Sequence, residues 1–160
     1  MKRGEKNLLI GIAATVVVLM VVNGVRQGSV KEHDRELPFY STADNDLQHR
    51  GGMLYKQLGC KECHSLWSVR DIMRNVPAPA LDGMGSLRER EWLYNYFSAE
   101  NPQAILPSRL KKEYQMPSYA SLDEAQRNLL TDYIFSLKVR DWYLNDARVA
   151  ECRKLTGGEC

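Results

Sequence analysis

The sequence predicts a modest all-α domain carried behind an N-terminal transmembrane helix. Three observations predict it: an uncharged apolar run from Leu8 to Val25, four later segments with apolar residues at helical spacing, and no alternating run that reads as a strand. The 160 residues, 44% hydrophobic and 26% charged, suit one domain with attached segments rather than two well-cored domains. Lys and Arg number 22 against 20 Asp and Glu, a net charge of +2 with the signs mixed along the chain. That balance argues against nucleic acid as a partner, which needs a dominant basic field. With 9% aromatics and many leucines, the composition is also not that of a disordered chain.

Residues 1–25 read as the anchor. Lys2, Arg3 and Lys6 precede the run against a single Glu5, and within Leu8–Val25 only Thr15 and Asn23 are strongly polar. Eighteen helical residues span about 27 Å, close to the ~30 Å hydrocarbon core of a bilayer. The basic flank places the N-terminus in the cytoplasm and residues 26–160 outside, as expected for a single membrane pass. A cleaved secretory signal is the alternative. The anchor is preferred because the run exceeds an ordinary signal core and Val22-Asn23-Gly24 is a poor cleavage site. Either reading exports the rest of the chain to an oxidising compartment. The first 25 residues carry three bases and one acid, so the exported part keeps 19 of each sign and is neutral.

Residues 26–43 are polar, aperiodic and contain Gly28 and Pro38. They read as a tether with a random-coil reach of about 21–25 Å. Four helices are predicted beyond it. Asp44–Gly59 sets Leu47, Leu54, Tyr55 and Leu58 on one face. Ser86-Leu87-Arg88-Glu89 reads as a capping box opening a helix through Trp92, Leu93, Tyr96 and Phe97. A second box, Ser121-Leu122-Asp123-Glu124, precedes a stripe of Leu122, Ala125, Leu129, Leu130, Tyr133, Ile134 and Leu137. A weaker helix runs from about Asp141 to Leu155. The loops between carry Pro77, Pro79, Gly83, Gly85, Pro102, Pro107 and Pro117. So much loop leaves a thin core that needs a staple or a cofactor.

Cys60-Lys61-Glu62-Cys63-His64 is a C-x-x-C-H, the attachment signature of c-type haem. Two thiols three positions apart in a helical turn can each add to one vinyl group of the porphyrin, and the adjacent imidazole then reaches the iron from one face. Structural zinc needs about four ligands, and Cys152 and Cys160 are distant. A thioredoxin-like pair needs a βαβ setting that is missing here. A plain disulfide between Cys60 and Cys63 leaves His64 unexplained. Candidates for the sixth ligand are His33, His49, Met53, Met73, Met84 and Met116. Met116 is preferred: it lies in the loop Tyr114-Gln115-Met116-Pro117-Ser118-Tyr119, 52 residues past His64, where Pro117 stiffens the approach. Met53, Met73 and Met84 read as ordinary filler, His49 as a surface residue and His33 as part of the tether.

These residues resemble the class I cytochromes c, especially bacterial mono-haem ones, from about Leu47 to Lys138. Arg50-Gly51-Gly52-Met53-Leu54-Tyr55 is similar to the family's first helix, in which Gly51 would permit a close crossing by the last helix, with Tyr55 and Tyr133 at the contact. Pro79-Ala80-Leu81 resembles the family's P-x-L. The resemblance implies that the Pro79 carbonyl accepts the proximal His64 Nδ1 proton and that Leu81 packs on the porphyrin; Trp92 would meet a haem propionate, with core packing as the alternative. The domain is thus 44–138 with residues 139–160 as a C-terminal extension, and the implied fold is that of a class I cytochrome c around one covalent haem c. A long segment from Val69 to Pro77 departs from the pattern, as does the extension. In an oxidising compartment Cys152 and Cys160 most simply pair, closing a nine-residue loop; contact with a partner is the alternative reading of this tail.

Iron held by His64 and Met116 would have no open position, and the soft thioether favours the ferrous state. The expectation is therefore an electron carrier and not an enzyme. Its partners would be redox proteins, or a larger respiratory membrane complex of which it is the cytochrome subunit. The alternative is a haem enzyme or gas-binding protein with a labile sixth ligand. Arg109, Lys111 and Lys112, just before Met116, are candidates for steering an acidic partner, with a solvated loop as the alternative. Arg88 and Arg90, interleaved with Glu89 and Glu91, read as ordinary helix surface.

Overall fold

The computed structural model describes residues 3–29, 37–67, 69, 76 and 78–160, and the chain divides into two compact units, 1–37 and 38–160. In the first, α1 (Arg3–Ser29) continues four residues past the predicted end of the apolar run. Gly4–Gly24 is long and apolar enough to cross a membrane. Its hydroxyl at Thr15 donates to the Gly11 carbonyl at 2.9 Å, so this polar group is satisfied within the helix.

The second unit is mostly helical. Asp44 caps α2 (Asn45–Gln57) by accepting the Leu47 N–H at 2.8 Å. A short α3 (Met84–Leu87) and then α4 (Arg90–Ser98) lead through irregular chain to α5 (Glu124–Phe135), and α6 (Leu144–Thr156) closes the chain. Leu93 and Phe97 of α4 bury with Leu130 and Ile134 of α5, and Leu54 of α2 joins them in one core. The crossing of α2 on α5 depends on Gly51. A Cβ there would lie 2.5 Å from the Tyr133 Cβ, so only a bare backbone lets the helices approach this closely. Tyr55 and Tyr133 meet beside it with ring centroids 6.1 Å apart.

Several sequence expectations are corrected. The domain is not purely α: β1 (Phe39–Ser41) pairs antiparallel with β2 (Leu137–Val139), with Tyr40 opposite Lys138. Three residues are too few to show alternation, and the pairing comes from tertiary contact. Residues 39–41, placed in the tether, and Val139, placed in the extension, therefore belong to the folded unit. Thr42 N–H donates to Ser136 O and Arg140 N–H to Pro38 O, which extends the seam at both ends. The box at Ser86 does not form: its hydroxyl accepts the Val139 N–H at 3.0 Å, and α4 begins at Arg90 without a side-chain cap. The second box forms two residues later than predicted, between Asp123 and Gln126, so Leu122 precedes the helix. Arg88 and Arg90 are more than surface. Arg90 donates to Asp132 and Asn128 of α5, and Arg88 is paired with Glu151 of α6.

Candidate functional site: a cavity that gathers thiols, imidazole and thioether

At the end of α2 the chain passes through Gly59, in the left-handed region at φ 70°, where a side chain would be strained. The reversal starts a 3-10 turn over Cys60–Glu62, and His64 N–H bonds back to the Cys60 carbonyl at 3.0 Å. Both thiols and the imidazole are thus delivered by one tight turn. Cys60 is buried and Cys63 half-buried. Burial pushes the Cys60 thiol above its usual range, partly offset by the Tyr119 hydroxyl 3.9 Å away.

The turn opens on a cavity of about 540 Å³, within the range of cofactor sites. Cys60, Cys63, His64, Pro79, Leu81, Trp92 and Met116, the residues singled out from the sequence, all line it. His64 Nδ1 is 2.7 Å from the Pro79 carbonyl oxygen. A carbonyl only accepts, so Nδ1 carries the proton and Nε2 is the nitrogen left to bind a metal. Burial lowers the His64 pKa, with the Pro79 bond acting the other way, and so favours the neutral, ligating imidazole.

Three ties hold this side of the cavity. Besides the His64–Pro79 bond, Leu81 N–H donates to Ser65 O at 2.9 Å and Trp67 N–H to the Asp82 carboxylate at 2.6 Å. Trp67 sits at φ 53°, unusual for a bulky residue and stabilised by that bond. On the other side, Gln103 spans the loop that carries Met116. Its Nε2 donates to Met116 O at 3.3 Å and its Oε1 accepts Ser108 N–H at 3.1 Å. Trp92 stacks on Tyr96, with the Arg88 guanidinium 5.0 Å above its ring.

The other sequence candidates separate. Met53 is 57% exposed on α2 and, like His49, does not line the cavity. Met84 lines it but is buried in the core. His33 and Met73 lie outside the described residues, as does most of the segment from Val69 to Pro77. Arg109 donates to the Leu155 carbonyl, whereas Lys111 and Lys112 are exposed. The tail contributes wall residues the sequence did not flag: Glu151, Lys154 and Leu155 of α6. Their i, i+3, i+4 spacing marks a common helix face, but nothing local says what that face meets. Tyr119, three residues past Met116, and Gln103 were likewise unassigned.

The cytochrome c family model matches residues 48–138, more than half of the chain. The chain belongs to the cytochrome c family. No curated protein and no solved structure matches it. The family binds covalent haem c and transfers electrons. The donor set of this cytochrome suits that group: two thiols, a neutral imidazole with its outer nitrogen fixed, and a thioether around one largely apolar cavity. Cys152 and Cys160 form a disulfide and are separate from the site.

Proposed function

We propose that this cytochrome is a membrane-anchored, mono-haem carrier of class I bacterial type. It would move single electrons between respiratory complexes or serve as the cytochrome subunit of one. The observation that carries the reading is the shared cavity, which both the C-x-x-C-H turn and the Met116 loop line. When bound, haem supplies a one-electron iron couple. Cys60 and Cys63 would attach it as thioethers, and His64 would ligate through Nε2, its ring fixed by the Pro79 carbonyl. Met116 would provide the second protein ligand, with Gln103 bracing its loop. Leu81, Phe97, Leu130 and Ile134 exclude water, and Trp92 stands at the wall to meet a propionate.

Two protein ligands leave no coordination position for substrate, which supports a carrier over an enzyme. Membrane attachment is supported by the apolar helix Gly4–Gly24, with Lys2 and Arg3 before it and Lys6 in its first turn. By the positive-inside rule the domain lies on the periplasmic side of the inner membrane.

The test is spectroscopic. The full-length protein, expressed with a competent haem-attachment apparatus, is expected to stain for haem on a denaturing gel and to show a weak near-infrared sulfur-to-iron band. Met116→Ala is expected to lose the band and bind CO, and Met84→Ala to keep it. A colourless polypeptide after denaturation and acetone extraction overturns covalent attachment. A wild-type protein that binds CO readily points instead to a haem enzyme or gas-binding protein. Retention of haem-stained protein of uncleaved mass in carbonate-washed membranes tests the anchor.

A further inference from the structure

The C-terminal helix has no role in the reading above, yet it forms part of the cavity wall. It also touches two separate stretches of chain that line the cavity. In one, Arg88, just before α4, pairs with Glu151 at 3.0 Å, the two side chains only 22% and 12% exposed. In the other, Arg109, seven residues before Met116, donates from Nε to the Leu155 carbonyl at 3.0 Å. Leu155 lies in the last turn of α6, where carbonyls lack helical partners and a cation is favoured. Two carbonyls of the preceding residues are taken locally: Cys152 O by the Thr156 hydroxyl and Arg153 O by Gly157 N–H. The Leu155 carbonyl is taken instead by Arg109, from outside the helix.

That end is locked. Gly157 terminates α6 at φ 72°, a left-handed conformation that favours glycine, and the Arg109 guanidinium packs directly over its Cα. Cys152 and Cys160 close the same turn covalently. From Arg109 the connection runs onward through a tied loop. Ser108 N–H bonds to Gln103, Gln115 Nε2 to Leu110 O, and Gln103 to the Met116 carbonyl.

We propose that α6 is a latch on the Met116 loop, with Arg109 as a positioning residue seated on the disulfide-closed helix end. The extension would thus hold the thioether against dissociation, independently of the core that holds His64. The inference rests on Met116 as the sixth ligand. The test uses full-length holoprotein and compares Arg109→Ala, the pair Cys152→Ser/Cys160→Ser, Met116→Ala and wild type. The near-infrared band and far-UV helicity are followed through a denaturant titration, and CO binding to the reduced protein is measured in buffer. The latch predicts that the Arg109 and double-cysteine variants lose the band at lower denaturant than wild type while helicity is lost at nearly the wild-type midpoint. It also predicts that CO binding rises about tenfold or more. If Arg109→Ala does not yield folded protein, Arg109→Lys and the double-cysteine variant carry the test. Wild-type band stability and CO binding in these variants, with Met116→Ala taking up CO, overturn the latch alone. A band that survives in Met116→Ala overturns the ligand assignment and the latch together.

Discussion

The Asp82 carboxylate accepts the backbone N–H of Trp67 at 2.6 Å, clasping the chain just after His64 to the chain just after Pro79. Burial raises the Asp82 pKa above its ordinary 3.8, and the hydrogen bond from Trp67 works in the opposite direction. A carboxyl whose folded pKa is raised binds its proton more tightly in the native state. Its contribution therefore declines as pH climbs from about 3.8 to the raised value.

Asp82→Asn is expected to keep the acceptor and abolish that pH dependence, with stability at neutral pH equal to or above wild type. Asp82→Ala removes the acceptor and is expected to cost about 1–3 kcal/mol. Denaturant melts between pH 4 and 8 check both. An Asn variant that retains the wild-type slope argues against Asp82 as its source.

Gly51→Ala is expected to be the most damaging small substitution in α2. The added methyl would meet the Tyr133 side chain at its root, where no rotamer gives relief, so the helices must separate. A cost of about 1–3 kcal/mol follows from overpacking, against the gain in helix propensity that alanine normally brings. Thermal unfolding of the variant beside Gly52→Ala measures this. At Gly52 a Cβ would come no nearer than 3.8 Å to the Tyr133 hydroxyl, so that control is expected to be neutral or stabilising.

Arg88→Leu is expected to leave Glu151 half-buried without its cation. Burial already lifts the Glu151 pKa and Arg88 pulls it down, so removing the arginine should lift it further. The variant is expected to lose about 2 kcal/mol at pH 7, with the gap to wild type narrowing as acid neutralises the carboxylate. Adding Glu151→Met should recover most of the loss at neutral pH. A gap that does not change with pH speaks against an electrostatic origin.

Much of the site was readable because its chemistry is local. C-x-x-C-H within one turn, Pro79 and Leu81 two apart, and Met116 beside Pro117 are patterns of near neighbours, and each of these residues lines the cavity. Misreadings came where a distant segment competed for a group. Ser86 looked like a helix cap, but its hydroxyl is taken by Val139 N–H, 53 residues away. Residues 39–41 looked like tether because three residues carry no alternation, and their partner strand lies across the fold.

The apolar N-terminal helix, the helical character of the domain and the sulfur and nitrogen side chains that line the cavity were legible along the chain. Those follow from hydropathy, period and spacing along the chain. Only the tertiary structure decided that the entering chain is pinned to β2, that Arg88 meets Glu151, and that α6 walls the cavity and takes hold of Arg109. Contacts between residues dozens of positions apart leave no periodic trace, because what selects them is the space left after the helices have packed.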